Sequence, residues 1–194
     1  NWDKKSSFYD PMCGSGTIPI EAAMIAFNIP PGILRDRYAF KLWKDYDAKL
    51  FLKIKENSKK KINYKSDIMI YGSDIVKKNI KLSIESSQKI NLEKFINFRV
   101  EDVSDFCTQN NYGTVIVNPP YGVRLGAEEN LQKLYKTIGD IFKNNCIGHD
   151  TYIFTHNKNL AKFVGLRTKK KSILKNGQLD CRLLYYPIKK GNFK

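Results

Sequence analysis

Asn118-Pro119-Pro120-Tyr121 is the tetrapeptide with the most chemistry in the chain. It follows the apolar run Thr114-Val115-Ile116-Val117, which places it at the end of a strand. The Asn118 side-chain oxygen and the Pro119 carbonyl are two acceptors on a stiff backbone, and they suit an exocyclic amine on a flat base. The lone pair of such a nitrogen is delocalised into the ring. Acceptors on both of its protons draw it toward a pyramidal, nucleophilic geometry. Proline fixes φ, so those acceptors need little rearrangement as charge develops. Tyr121 adds a ring face for stacking a base, worth about 1–3 kcal/mol. The chemistry outlined is methyl transfer to nitrogen, with Asn118, Pro119, Pro120 and Tyr121 as catalytic candidates and neither metal nor covalent nucleophile. A plain strand followed by an Asn-Pro turn is the alternative.

A methyl donor needs a cradle, and Asp10-Pro-Met-Cys-Gly14-Ser-Gly16-Thr17 offers one. Its glycines let the backbone turn tightly and approach a ligand without a Cβ in the way. It is not the dinucleotide fingerprint, because Pro19 stands at the third glycine position, and no lysine follows as in a Walker loop. A carboxylate ahead of the glycines repels a pyrophosphate but suits a cationic ligand such as S-adenosylmethionine, with its ammonium and sulfonium groups. Two further acids follow strand-like runs. Asp74 is placed to accept from both ribose hydroxyls, and Asp102, in Glu101-Asp102-Val103, from an adenine amino group. Singly, each reads equally as a helix N-cap.

The elements that must position these residues alternate strand and helix. Ser7-Phe8-Tyr9 reads as a first strand, and Ile18, Ala22, Ile25, Ala26 and Ile29 recur at helical spacing until Pro30-Pro31-Gly32. Residues 33–63 read as an extra helical insertion, with Trp43, Tyr46, Leu50, Phe51 and Ile54 at helical intervals. Strands are expected at 68–72, 96–100, 114–117 and 152–154, with helices over 76–90, 130–144 and 158–165 between and after them. Two β-rich stretches, 169–175 and 179–186, flank Asn176-Gly177, a hairpin signal. The pattern predicts an α/β fold with a mostly parallel sheet and an antiparallel C-terminal strand. In such sheets ligands sit beyond the carboxyl ends of the strands, where all three motifs fall.

Thirty-four Lys and Arg against 19 acids give a net charge of +15, which favours a polyanionic partner. Four widely spaced cysteines and two histidines show no metal-ligand spacing and suit reduced thiols in an intracellular protein, in the cytoplasm or an organelle. No apolar run approaches the roughly 20 residues of a membrane span, and no signal peptide pattern opens the chain. The chain begins Asn1-Trp2-Asp3, close to the glycine motif, so a domain excised from a longer protein is expected over residues 1–194.

With these motifs in place, the chain resembles the THUMP-associated RNA guanine-N2 methyltransferases, above all the bacterial enzymes acting on large-subunit ribosomal RNA. The residues that carry the resemblance are Asp10 through Ala26 and Asn118-Pro-Pro-Tyr-Gly-Val-Arg-Leu-Gly126. In the tail they are Asn159-Leu-Ala-Lys, Gly165-Leu-Arg, Asn176-Gly and Cys181-Arg-Leu. The resemblance implies a Rossmann-like class I S-adenosylmethionine-dependent methyltransferase that methylates the N2 of a guanine in RNA. It implies Asp10, Met12, Cys13, Gly14, Gly16, Thr17, Asp74, Ile75, Asp102, Val103 and Asn118 as cofactor contacts, and Arg124 in the loop over the base. Fuller members carry an N-terminal RNA-binding region, so substrate choice is expected to draw on one. The tracts Lys169-Lys170-Lys171 and Lys189-Lys190 are candidates for an RNA footprint, or else solvated edges. Competing readings are a DNA adenine-N6 or protein glutamine methyltransferase, and a non-catalytic RNA-binding module.

Overall fold

The computed structural model describes residues 2–64, 67–120 and 128–191. Seven strands form one sheet: β1 (Ser7–Asp10), β2 (Ile70–Asp74), β3 (Ile96–Val100), β4 (Gly113–Val117), β5 (Asp150–Thr155), β6 (Lys170–Asn176) and β7 (Leu179–Pro187). Their spatial order is β3-β2-β1-β4-β5-β7-β6. β1 to β5 pair in parallel, β7 is antiparallel to β5, and β6 is antiparallel to β7. The terminal hairpin expected from sequence is β6–β7, and β7 is the strand it adds antiparallel to β5.

Helices α1 (Thr17–Ala26) and α3 (Lys77–Gln88) cover one face, and α4 (Glu128–Asn145) covers the other with a 3-10 turn at Leu160–Val164. Alternation along β1 supplies both layers. Phe8 packs with Ala23, Phe27 and Ile70 on the first face, while Tyr9 packs with Val115, Tyr135 and Phe142 on the second. Gly139 lets α4 lie directly on the 3-10 turn, since a Cβ there would sit 1.8 Å from the Val164 carbonyl oxygen.

Several boundaries differ from the sequence expectation, each for a local reason. α1 stops at Ala26, before the prolines, because Asn28 takes a left-handed φ of 56°. Ile29 N–H then bonds the Met24 carbonyl at 2.8 Å and Asn28 N–H the Ile25 carbonyl at 3.3 Å, a Schellman closure with Asn in the usual glycine place. β2 begins two residues later than its apolar run suggests. Polar Ser73 and Asp74 continue the ladder by pairing with Arg99 and Val100, so Asp74 ends the strand instead of following it. In the insertion, α2 spans only Ala48–Lys60, started by the Asp47 side chain, which accepts from Leu50 N–H at 2.9 Å. Trp43 and Tyr46 lie before it and meet Phe51 through a ring cluster around Phe40. No residue of α2 is buried. The 158–165 segment is a 3-10 turn, Leu160–Val164. In the hairpin, Asn176 still pairs with Leu179, so the turn residues are Gly177, at φ 60°, and Gln178. Glycine at the first of two turn positions is the type II′ pattern, one residue beyond the Asn-Gly expectation.

Candidate active site

The strand order reverses between β1 and β4, the place where an open parallel sheet leaves a crevice at its carboxyl edge. Both central motifs leave the sheet there. β1 and β4 are parallel neighbours with Tyr9 opposite Val115, which sets Asp10 level with Ile116, two residues before Asn118. The glycine turn and the asparagine therefore share one end of the sheet, as a single site demands.

The glycine turn is built by its neighbours. Cys13 N–H bonds the Ser73 carbonyl at 2.9 Å and Gly16 N–H bonds the Cys13 carbonyl at 2.9 Å. Gly16 caps α1 at φ 82°, and a Cβ there would stand 2.8 Å from the Ser83 Cβ and 3.1 Å from the Phe98 ring. Gly14, at φ 56°, is different: a Cβ would meet none of the described residues within 4 Å, so they leave this side of the turn open. The Ser83 hydroxyl donates to the Gly14 carbonyl at 3.0 Å.

Asp74 ties the second strand end to this turn. Its Oδ2 accepts from Gly14 N–H at 3.0 Å, while Oδ1 accepts from Val76 N–H at 2.8 Å and from Asn79 Nδ2 at 3.0 Å. Asn79 and Ser83 were not singled out in the sequence. Their spacing of four on α3, with Ser83 and Ser87 interrupting its buried face, is the signal that could have found them. Ile75, beside Asp74, is 64% exposed. Asp102 starts the 3-10 turn Val103–Asp105, its Oδ1 accepting from the backbone N–H and hydroxyl of Ser104 at 2.8 Å each. Those donors hold its carboxyl below the usual carboxylate range. Val103 is buried in the main core.

Asp10 differs from both. It is 1% exposed, and its Oδ1 takes the Met12 N–H at 3.1 Å. Its Oδ2 is buried with no hydrogen-bond partner among the described residues. Desolvation pushes its carboxyl up to about 7, helped by repulsion from Asp74 and opposed by the Met12 N–H. Burial pushes the neighbouring Cys13 thiol up to about 12, with Asp10 and Asp74 adding to the effect. A thiol so protonated is no nucleophile at neutral pH. Met12 packs partly buried against the main core, and Thr17 opens α1.

Just after β4, Pro119 is buried while Asn118 and Pro120 are exposed. The structure thus brings Asp10, Met12, Cys13, Gly14, Gly16, Thr17 and Asp74 together, and Asn118 leaves the sheet at the same carboxyl end. Ile75, Asp102 and Val103 lie at the ends of the next strands. Tyr121 and Arg124 lie outside the described residues. Among the described residues, no group of three or more His, Cys, Asp or Glu could hold a metal ion, and no helix is long and apolar enough to cross a membrane.

Comparison with known proteins follows the same lines. The chain is 36% identical over 189 residues to the ribosomal RNA large subunit methyltransferase K/L of Allochromatium vinosum, covering 95% of this chain and 26% of that protein. The crystal structure of SMU.472 complexed with SAH superposes with a TM-score of 0.88 at 31% identity, covering 98% of this chain and 50% of that one. A structure from Listeria monocytogenes, described as a predicted N6-adenine-specific DNA methylase, superposes with a TM-score of 0.82 at 33% identity over 94% of this chain and 47% of its own. The chain therefore spans about a quarter to a half of these relatives. The Rossmann-like methyltransferase fold expected from the motifs is the one found. Residues 1–185 match the model of the RMKL-like methyltransferase domain, and the chain belongs to that family.

Proposed function

We propose that this chain transfers a methyl group from S-adenosylmethionine to the exocyclic N2 of a guanine in ribosomal RNA, with residues 1–194 acting as one catalytic unit. The observation that carries the reading is that the glycine turn and the Asn118-Pro119-Pro120 segment follow adjacent parallel strands, β1 and β4, at the switch point of the sheet. The residues fit the cofactor. Asp10 presents a buried carboxylate oxygen without a partner among the described residues, which suits an ammonium group, and the open side of Gly14 leaves room for a ligand against the backbone. When bound, S-adenosylmethionine supplies an electrophilic methyl group on a sulfonium.

The protein's own share is positioning. A carboxylate has about four acceptor positions, and Asp74 has three occupied, so it takes one ribose hydroxyl while keeping the turn in place. Asp102 Oδ1 is committed to Ser104, which leaves Oδ2 for the adenine amino group. The exposed Ile75 and the buried Val103 border the adenine. Asn118 Oδ1 and the Pro119 carbonyl accept the two amino protons of the target base, and the ring of Tyr121 stacks on it. Arg124 belongs to the same base-binding loop. Proximity of two held reactants then supplies much of the rate.

The name of the Allochromatium relative supports ribosomal RNA as the substrate, and the net charge of +15 agrees with a polyanion. The Listeria structure's description favours a second reading, adenine N6 in DNA. Methyl transfer from labelled S-adenosylmethionine to unmodified ribosomal RNA, to DNA and to a glutamine-bearing release factor separates them. Label is expected in RNA and, after nuclease digestion, on N2-methylguanosine. Label in DNA or protein with none in RNA refutes the assignment. SAH affinity by calorimetry separates an enzyme from a non-catalytic RNA-binding module, which would show none.

A further inference from the structure

The same carboxyl edge of the sheet holds a second concavity, two strands beyond β4. It has a volume of about 320 Å³, and its polar lining is Thr155, Lys158, Lys162, Thr168, Lys171 and Arg182. Three elements converge to make it. Lys158 and Lys162 come from the 3-10 turn region after β5, Lys171 from β6 and Arg182 from β7. Lys171 opposes Leu184, and Arg182 opposes Ile173, which puts both cations on one face of the hairpin. Thr155, at the floor, is held by the Tyr135 hydroxyl at 2.7 Å and by Asn157 N–H at 3.1 Å.

Among the described residues the lining contains four cations and no carboxylate. Among the described residues none of the four has an ionic partner. Two acids of this half pair with other lysines, Asp140 with Lys143 and Asp180 with Lys175. Four like charges that converge on one hollow repel one another, and an anion in the hollow reverses the sign of that term. Three of them, the lysines, are exposed and Arg182 is half-buried, so the hollow is open to a ligand on a large partner.

We infer that Lys158, Lys162, Lys171 and Arg182 clamp a backbone phosphate of the RNA strand whose base enters the Asn118 pocket. The inference rests on the RNA reading above and adds a surface to it. Neighbouring strands lie about 4.8 Å apart, so the hollow sits roughly 10 Å along the edge from β4. A strand delivering a base to Asn118 thus lays adjacent phosphates across it. Such contacts set register and orientation and carry no base information. Of the lysine tracts noted in the sequence, only Lys171 joins the clamp. Lys169 lines a different hollow with Tyr186, and Lys189-Lys190 follow β7 at the opposite edge.

The test is binding of a labelled single-stranded RNA to the 194-residue chain across a salt series, for wild type, for K158A/K162A/K171A and for K53A/K59A/K60A. The last removes three exposed lysines from α2, no residue of which lines the hollow. Single-stranded phosphate contacts each contribute about 0.7 to the slope of log affinity against log salt. The clamp variant is expected to lose about 2 from that slope and at least about tenfold in affinity at low salt, while the α2 variant loses less than half as much. SAH affinity within about twofold of wild type certifies that both variants are folded. Equal losses in the two variants mean diffuse charge, and no loss in either means no clamp. Both overturn the inference while wild-type RNA binding leaves the RNA reading standing. A wild type that binds SAH but no RNA removes both.

Discussion

The two sides of the β1–β4 boundary are built on opposite rules. On the β1–β2–β3 side, polar side chains are committed to neighbouring groups of the protein: Asp74 to the backbone of Gly14 and Val76 and the side chain of Asn79, Asp102 to Ser104, and Ser83 to Gly14. On the β4–β5–β7–β6 side, Asn118 is exposed and four cations face one hollow with no acid among the described residues that line it. The first arrangement is preorganised, so a ligand meets a finished surface and little ordering remains to be done. The second is receptive, with charge left for a partner to neutralise. A cofactor of fixed shape suits the first, and a long flexible polyanion suits the second.

The largest effect that tests this division belongs to the receptive side. Asn118→Ala removes one of the two acceptors proposed for the amine without touching the preorganised side. Methyl transfer is expected to fall about 10²–10³-fold in kcat, the usual loss for a group aimed at a transition state. SAH affinity should stay within about twofold. Turnover that survives in this variant dismisses the proposed acceptor role, and a parallel loss of SAH binding shows that the two sides are not separable.

Gly16→Ala probes the preorganised side by stability. The new Cβ meets Ser83 at 2.8 Å, in a residue whose φ is 82°. Strain of the left-handed region and overpacking together cost about 2–3 kcal/mol. A fall in the denaturation midpoint is expected with an unchanged slope. Gly14→Ala, which meets none of the described residues within 4 Å, should cost only the backbone strain, so its midpoint falls less, yet it should weaken SAH by filling the open side of the turn. Equal midpoints for the two variants contradict the difference drawn between the glycines.

Legibility followed the same division. Period and punctuation located β3 at 96–100 without error and the hairpin within a residue, because the apolar alternation of Ile96, Phe98 and Val100 and a glycine turn are both short-range signals. The glycine motif and the Asn-Pro-Pro-Tyr tetrapeptide were visible because each is contiguous. The end of α1 was misplaced because Asn28 stands in for glycine, while Pro30-Pro31 look like a stronger stop. The insertion was overextended since its aromatic residues pack on one another around Phe40, outside any helix. Asn79 and Ser83 went unnoticed, being neutral residues whose role depends on α3 lying against the turn. The four-cation hollow draws on residues 158 to 182, scattered over three elements, and only the closed hairpin assembles them.

The finest test is the titration of Asp10, the acid of the preorganised side that has a buried oxygen with no partner among the described residues. Its carboxyl rises from 3.8 to about 7, chiefly through burial. Between those values the folded chain holds a proton that the unfolded chain has released. Unfolding free energy therefore falls as pH rises through this window, by at most about 1.4 kcal/mol per unit, and levels off above the folded value. Cofactor affinity should run the other way. An ammonium group favours the ionised carboxylate, so SAH binding tightens from pH 5 toward pH 8 with release of a proton, about one per site at the low end. Calorimetry in two buffers of different ionisation enthalpy counts that proton. Asp10→Asn should flatten both profiles, leaving stability less dependent on pH and SAH binding weak throughout. Profiles that stay steep in Asp10→Asn assign the titration to another group, and stability that climbs with pH in the wild type contradicts the buried, protonated carboxyl itself.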